Sequence, residues 1–332
     1  MMRIIDADTT RRHLPFEALI PALRERFAQG CEVPQRHTHR IGGARGDAGT
    51  VLLMPAWREG GRLGLKTVTI FPGNSALGKP ALHSTYLLFD ARTGEPLAQL
   101  DGDEITSRRT VAASALAASF LARGDARRLL VVGTGRVASL LPEAMRVVRP
   151  VTEVQVWNHR AASAEALAAR LRAQGFDAQA CTELEAAVGC ADIVSCATLA
   201  TLATPPLIRG EWLRPGMHLD LIGSFTPLMR EADAACFARC RVYVDTVEAL
   251  AKSGDVLQAV AAGAFGDDRL QATLAELCAG QHVGRSDVAE LTLFKSVGTA
   301  LEDLAAAELV FDAVRHESPG CGHGARAGRL HR

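Results

Sequence analysis

At 332 residues the chain is long enough for two domains with cores of their own, and 48% apolar against 22% charged residues is the balance of an ordinary globular protein. Its 37 Lys and Arg offset 37 Asp and Glu, and no basic tract is interleaved with aromatics, which argues against nucleic acid or an anionic membrane as partner. No apolar run reaches the ~18 residues that span a bilayer, and the start, MMRIIDADTTRRHLPF, carries charges where a signal peptide keeps its apolar stretch, so a cytoplasmic protein is expected.

The first third reads as one amphipathic helix over residues 15–29 and strands over 50–55, 64–71 and 83–89, broken by turn signals at 72–74 (PGN) and 91–96 (ARTGEP). Strands that follow one another without helices imply an antiparallel or mixed sheet. Three cations here are oddly placed. In GLKTVTI, period 2 puts Lys66 on the face of Val68 and Ile70, where a lysine must find a partner or lose its charge. Arg109, in ITSRRT, is read as opening an Ala-rich helix and lines up with Ala112, Ala113, Leu116 and Phe120, at a positive helix end. Arg36, in VPQR, follows the first helix. Each alone also fits an ordinary surface cation; together they could grip a carboxylate.

From residue 127 short apolar runs alternate with helical stretches: RLLVVG, a helix to about residue 148, VTEVQVWN, a helix over 161–174, then FDAQAC, ADIVSCAT, MHLDLIG and RVYVDT. That rhythm implies a parallel, doubly wound sheet. After residue 291 a long helical pattern, LFKSVGTALEDLAAAELVFDAVR, is expected to return to the first domain. The fold class is thus α/β: a central Rossmann domain over 113–298 and a discontinuous α+β substrate and dimerisation domain over 1–112 and 299–316, with a disordered tail over 317–332. The cysteines show no CxxC pair, so neither a zinc site nor a disulfide framework is expected; Cys196 reads as a small core residue, while Cys321 and His323 in the tail could touch a metal but read more simply as part of an unstructured end.

The strongest local signal is LLVVGTGRVA, an apolar strand running into G-x-G-x-x-A and a helix. Gly133 permits the tight turn, Gly135 lets the backbone approach a pyrophosphate, and Ala138 lets the helix lie close. Thr134, Arg136 and Val137 complete the turn and the helix N-terminus that would face the phosphates. Where an NAD-binding strand ends in an acid, this one ends Asn158-His159-Arg160. Asn158 can donate to a ribose 2′-phosphate and Arg160 can pair with it, so NADP(H) is preferred and NAD(H) possible; alternatively, Arg160 merely sits exposed ahead of the next helix.

At these residues the chain closely resembles the ornithine cyclodeaminase/mu-crystallin family, in order along nearly its whole length: VPQR, LLMPAW, GLKTVTIFPGN, LLFDARTGEPLAQLDGDEITSRRTVAASALAA, VVGTGRVA, WNHR, ADIVSCAT, EWLRPGMH and ELTLFKSVGTALEDLAAAELV. The resemblance implies a homodimer built through the first domain and an active site in the cleft between domains. It also implies that Arg36, Lys66 and Arg109 contact substrate, with Lys66 at the reacting nitrogen, and that Thr110, Thr198, Ser296 and Gly298 lie near the cofactor or cleft. One loop departs from the cyclodeaminases: where they read like GGDCPGKTE, this chain has GSFTPLMRE, with Phe225 in place of the aspartate. A phenyl ring neither accepts a proton nor holds an ammonium. The loop looks instead like the mu-crystallin and imine-reductase branch, whose members reduce cyclic ketimino acids such as pyrroline-2-carboxylate and piperideine-2-carboxylate to proline and pipecolate. That NAD(P)H-dependent reduction is the activity expected. The alternatives are ornithine cyclodeaminase with another group supplying the acid, an alanine dehydrogenase or N-alkyl amino acid synthase, and a binding protein that keeps NADP(H) and a small ligand.

Overall fold

A computed structural model describes residues 2–42 and 49–317; the expectation of a disordered tail falls almost wholly outside them, as do Cys321 and His323. The first sheet has six strands, β1 (Arg3–Ile5), β2 (His37–Ile41), β3 (Gly49–Trp57), β4 (Arg62–Ile70), β5 (Leu82–Asp90) and β6 (Pro96–Asp101). Their spatial order is β1-β6-β5-β4-β3-β2, antiparallel except for β1 against β6. One face carries the alternate residues Met54, Ala56, Lys66, Val68, Tyr86 and Leu88, all buried. Helices Gly102–Leu121 and Ala300–Glu317 pack on that face, and Phe16–Gln29 packs across both.

Asp101 caps the central helix by accepting from the Glu104 N–H at 2.8 Å, and Asp103 and Glu104 fill its first turn. The helix therefore starts at Gly102, and Arg109 lies in its interior rather than at its positive end: the cap, Asp101, stands about two turns before Arg109. Its Ala run is buried nearly all round, because the helix also packs against the second sheet.

That second sheet is wholly parallel. Its strands are β7 (Arg128–Val132), β8 (Glu153–Trp157), β9 (Asp177–Ala180), β10 (Ile193–Cys196), β11 (His218–Leu221), β12 (Arg241–Val244), β13 (Leu270–Thr273) and β14 (Thr292–Lys295), in the order β13-β12-β14-β11-β10-β7-β8-β9. Its central strands are covered on both sides and so are buried almost end to end, β7 as an apolar run and β10, β11 and β14 with buried polar residues, Ser195, His218, Asp220, Thr292 and Lys295, among their apolar ones. Here the expectation of helix directly after residue 291 fails. Thr292–Lys295 is a fully buried strand between β11 and β12, and the helix begins only at Ala300. A four-residue strand, TLFK, a few residues ahead of a long helix is too short to show a period of its own. Among the described residues no helix is long and apolar enough to cross a membrane.

Candidate active site

Lys66 projects from the buried face of β4 and is 1% exposed. Its Nζ donates to Asp303 Oδ1 at 2.8 Å and lies 2.7 Å from Oδ2. Arg109 meets the same carboxylate through Nε at 2.9 Å, and its Nη1 reaches Glu302 Oε2 at 2.6 Å. Sequence reasoning found both cations and missed both acids. Glu302 and Asp303 sit in the apolar run ALEDLAAA of the last long helix, and two adjacent buried acids there are the signal that could have exposed them.

Burial pushes Lys66 down to about 8, with Arg109 and Arg36 adding to the effect and Asp303 opposing it. Burial also works against the charge of Arg109, but Asp303 and Glu302 outweigh it and hold the guanidinium above its ordinary value. Glu302 rises to about 7, chiefly through burial and against the pull of Arg109. Asp303 stays below the usual carboxylate range although burial opposes it, because Lys66 and Arg109 flank it. Arg36 differs from its neighbours: among the described residues no carboxylate lies within ion-pair distance of it, and its one polar contact is a long 3.5 Å approach of Nη2 to the Gly298 carbonyl. Burial and the charge of Arg109 lower its pKa. Gly298 is glycine for two reasons: its φ is +78°, and a Cβ would stand 2.6 Å from Arg109 Nη1. Its N–H and that of Val297 donate to the buried Asp245, at 2.6 and 2.8 Å.

Across from this cluster, β7 ends in the glycine turn. Gly133 has φ +118°, and a Cβ there would meet the Ala197 carbonyl oxygen at 2.6 Å. Gly133→Ala is therefore expected to destabilise the fold by about 1–3 kcal/mol or more, from strain plus overlap; urea unfolding checks it, and an unchanged midpoint would mean the turn relaxes freely. Gly135 faces open space instead, with nothing within 4 Å of a Cβ, and as the N-cap of Arg136–Val148 it leaves that helix without a side-chain cap. At the end of β8, Asn158 donates to Thr134 Oγ1 at 2.5 Å and accepts from the Arg160 N–H at 3.0 Å. Its amide thus ties the second strand to the turn, while His159 and Arg160 are exposed.

Both halves open into one cavity of about 310 Å³. Arg36, Lys66 and Arg109 line one end; Thr110, Val137, Thr198, Ser296 and Gly298 line the side toward the parallel sheet. Gly133, Thr134, Gly135 and Arg136 directly precede Val137 in the chain but are not among the lining residues, nor are Asn158, His159 and Arg160. Phe225, 38% exposed, is on the wall, and among the described residues no Asp or Glu lines the cavity. The acid of its loop, Glu231, is buried beneath: its Oε1 accepts from the Thr198 N–H and hydroxyl, and its Oε2 from the Gly223 N–H, all within 2.7–2.8 Å. It fastens the loops after β10 and β11 to each other. A larger polar depression of about 630 Å³ lies elsewhere, but its Arg58, Arg62 and Arg92 are already paired with Glu308, Asp312 and Asp90.

With the geometry in hand, comparison with known proteins is consistent along the chain. The profile of the ornithine cyclodeaminase/mu-crystallin family matches residues 3–318. A Delta(1)-pyrroline-2-carboxylate reductase of Paracoccus denitrificans is 39% identical over 305 residues, 91% of this chain and 94% of that one. Its namesake from Colwellia psychrerythraea is 36% identical over 316 residues, 94% and 99%. The Thermococcus litoralis Delta(1)-pyrroline-2-carboxylate reductase, solved in complex with NADH and L-proline, superposes with a TM-score of 0.87 at 30% identity, over 95% of this chain and 98% of that one. The chain belongs to the ornithine cyclodeaminase/mu-crystallin family.

Proposed function

We propose that the protein reduces cyclic 2-imino acids, pyrroline-2-carboxylate and piperideine-2-carboxylate, to the corresponding cyclic amino acids, with NADP(H) preferred over NAD(H). The observation that carries this reading is a cavity lined by three cations and, among the described residues, by no carboxylate, which the helix following the glycine turn reaches through Val137. The relatives named as pyrroline-2-carboxylate reductases, and the one bound to NADH and proline, support it.

The turn fits a dinucleotide. Gly135 leaves open space where a side chain would stand, beside an uncapped helix N-terminus whose N–H groups suit a pyrophosphate. Arg160, exposed past the end of β8, is the residue to hold a 2′-phosphate, and Asn158 supports the turn. When bound, the reduced nicotinamide supplies a hydride to the imine carbon. Arg36 and Arg109 hold the carboxylate, Arg109 through Nη2, since its Nε and Nη1 serve Asp303 and Glu302, and Arg36 without surrendering an existing ion pair. Lys66, mostly protonated at neutral pH, keeps its ammonium on Asp303 and presents a proton to the imine nitrogen. The apolar walls keep water from the electrophilic carbon.

Deamination of ornithine needs an acid on the amine and attacking water. Phe225 cannot serve, and both oxygens of Glu231 are taken by Thr198 and Gly223 below the cavity floor. A homodimer fits the outer face of the first sheet, where Leu53, Trp57, Leu63, Leu65, Leu87 and Phe89 are only half-buried in the single chain.

Purified protein should oxidise NADPH faster than NADH on adding either cyclic imine; absence of oxidation with both would remove the proposal. Arg160→Ala should cut the NADPH-to-NADH ratio of kcat/KM about tenfold, the worth of one charge-assisted contact. An unaltered ratio would move the 2′-phosphate elsewhere.

A further inference from the structure

Lys66, Val68 and Ile70 project from one face of β4, and their ladder partners Met54 and Leu52 on β3 and Leu82 on β5 share the cavity with them. At about 3.3 Å per residue, this wall runs outward for roughly 13 Å from the cation end. A five- or six-membered ring with its carboxylate on Arg36 and Arg109 and its nitrogen at Lys66 spans roughly 5 Å, a few bonds of about 1.5 Å, and so reaches about as far as Val68. Beyond it stand Ile70 and Leu82, which line the same cavity as the apolar Leu199 and Phe225. Leu199 is 77% exposed and Leu82 41%, so this outer end is apolar surface that a bare ring leaves wet.

We infer that the favoured substrates are cyclic 2-imino acids carrying an apolar or aryl substituent on the ring carbons remote from the carboxylate. The inference rests on the reductase reading and uses the same chemistry. Hydride from the reduced nicotinamide goes to the imine carbon, the proton goes from Lys66 to nitrogen, and the products are the substituted cyclic amino acid and the oxidised dinucleotide. The substituent lies along Val68, Ile70 and Leu82, and among the described lining residues a distal ammonium or carboxylate has no partner there.

The test compares kcat/KM for pyrroline-2-carboxylate with its 4-phenyl and 4-aminomethyl derivatives, and measures calorimetrically the binding of proline and 4-phenylproline, the corresponding products. The phenyl compound should exceed the bare ring by about 10-fold to 100-fold, its product should bind more tightly by a similar factor, and the aminomethyl compound should fall below the bare ring. Leu82→Asp should lower the phenyl-to-bare ratio. Turnover of the bare ring with no gain from phenyl would overturn this inference and leave the reductase reading standing; turnover of none would overturn both. A phenyl preference that Leu82→Asp leaves unchanged would contradict the assigned wall.

Discussion

Lys66→Met should lower kcat/KM for the cyclic imine by about 10²–10⁴-fold, the usual worth of a positioned proton donor. Methionine nearly matches the length of the lysine stem and carries no charge, so the buried face of β4 stays filled and Asp303 keeps Arg109 as partner. The pH profile separates this loss from a packing defect. The donor is the protonated form, and burial brings its pKa to about 8. The proton is bound below that value and lost above it, so kcat/KM, which reports the free protein, should fall by about tenfold per pH unit above about 8. The residual activity of Lys66→Met should lack that limb. A wild-type limb that persists in the variant would assign the titration to another group.

Asp303→Asn should produce the largest combined change in stability and profile. Lys66 and Asp303 are 2% and 0% exposed in their side chains, and removing one member of such a pair leaves a buried charge uncompensated, at a cost of about 3–5 kcal/mol. Asp303 is also the main influence that raises the pKa of Lys66 against burial, Arg109 and Arg36. Without it the ammonium gives up its proton more readily, so the alkaline limb should move below pH 8 while the protein loses stability in urea. Lower stability with an unmoved limb would reduce Asp303 to a packing role.

How much of this was legible in the sequence depended on the range of each signal. Lys66 was legible because strand periodicity is local and a lysine among Val68 and Ile70 breaks it. The glycine turn was legible because strand, turn and helix are contiguous over 128–148. Asp303 was not, since it meets Lys66 across 237 residues, and nothing in ALEDLAAA says which cation its acids face. The helix position of Arg109 was misread because an Ala run looks alike along its length and the D-G-D-E cap lies upstream. β14 was hidden because TLFK is too short to show a period; β1 and β2 escaped as edge strands, the first only three residues long and the second exposed throughout, and β6, although it lies between β1 and β5, buries only Ala98 and Leu100 of its six residues. Asn158 was legible as a polar strand end, but its engagement with Thr134 depends on how β8 lies beside β7.

On this account the imine carbon accepts a hydride in the cavity where Arg36 and Arg109 hold the carboxylate and Lys66 faces the imine nitrogen. This transfer is tested most directly by supplying NADPH deuterated at both C4 positions together with pyrroline-2-carboxylate, and reading the proline by mass spectrometry and NMR. The account predicts one deuterium per proline, at C2, with one dinucleotide oxidised for each molecule formed. Proline without deuterium, or ammonia released from ornithine with no net oxidation of dinucleotide, would contradict it.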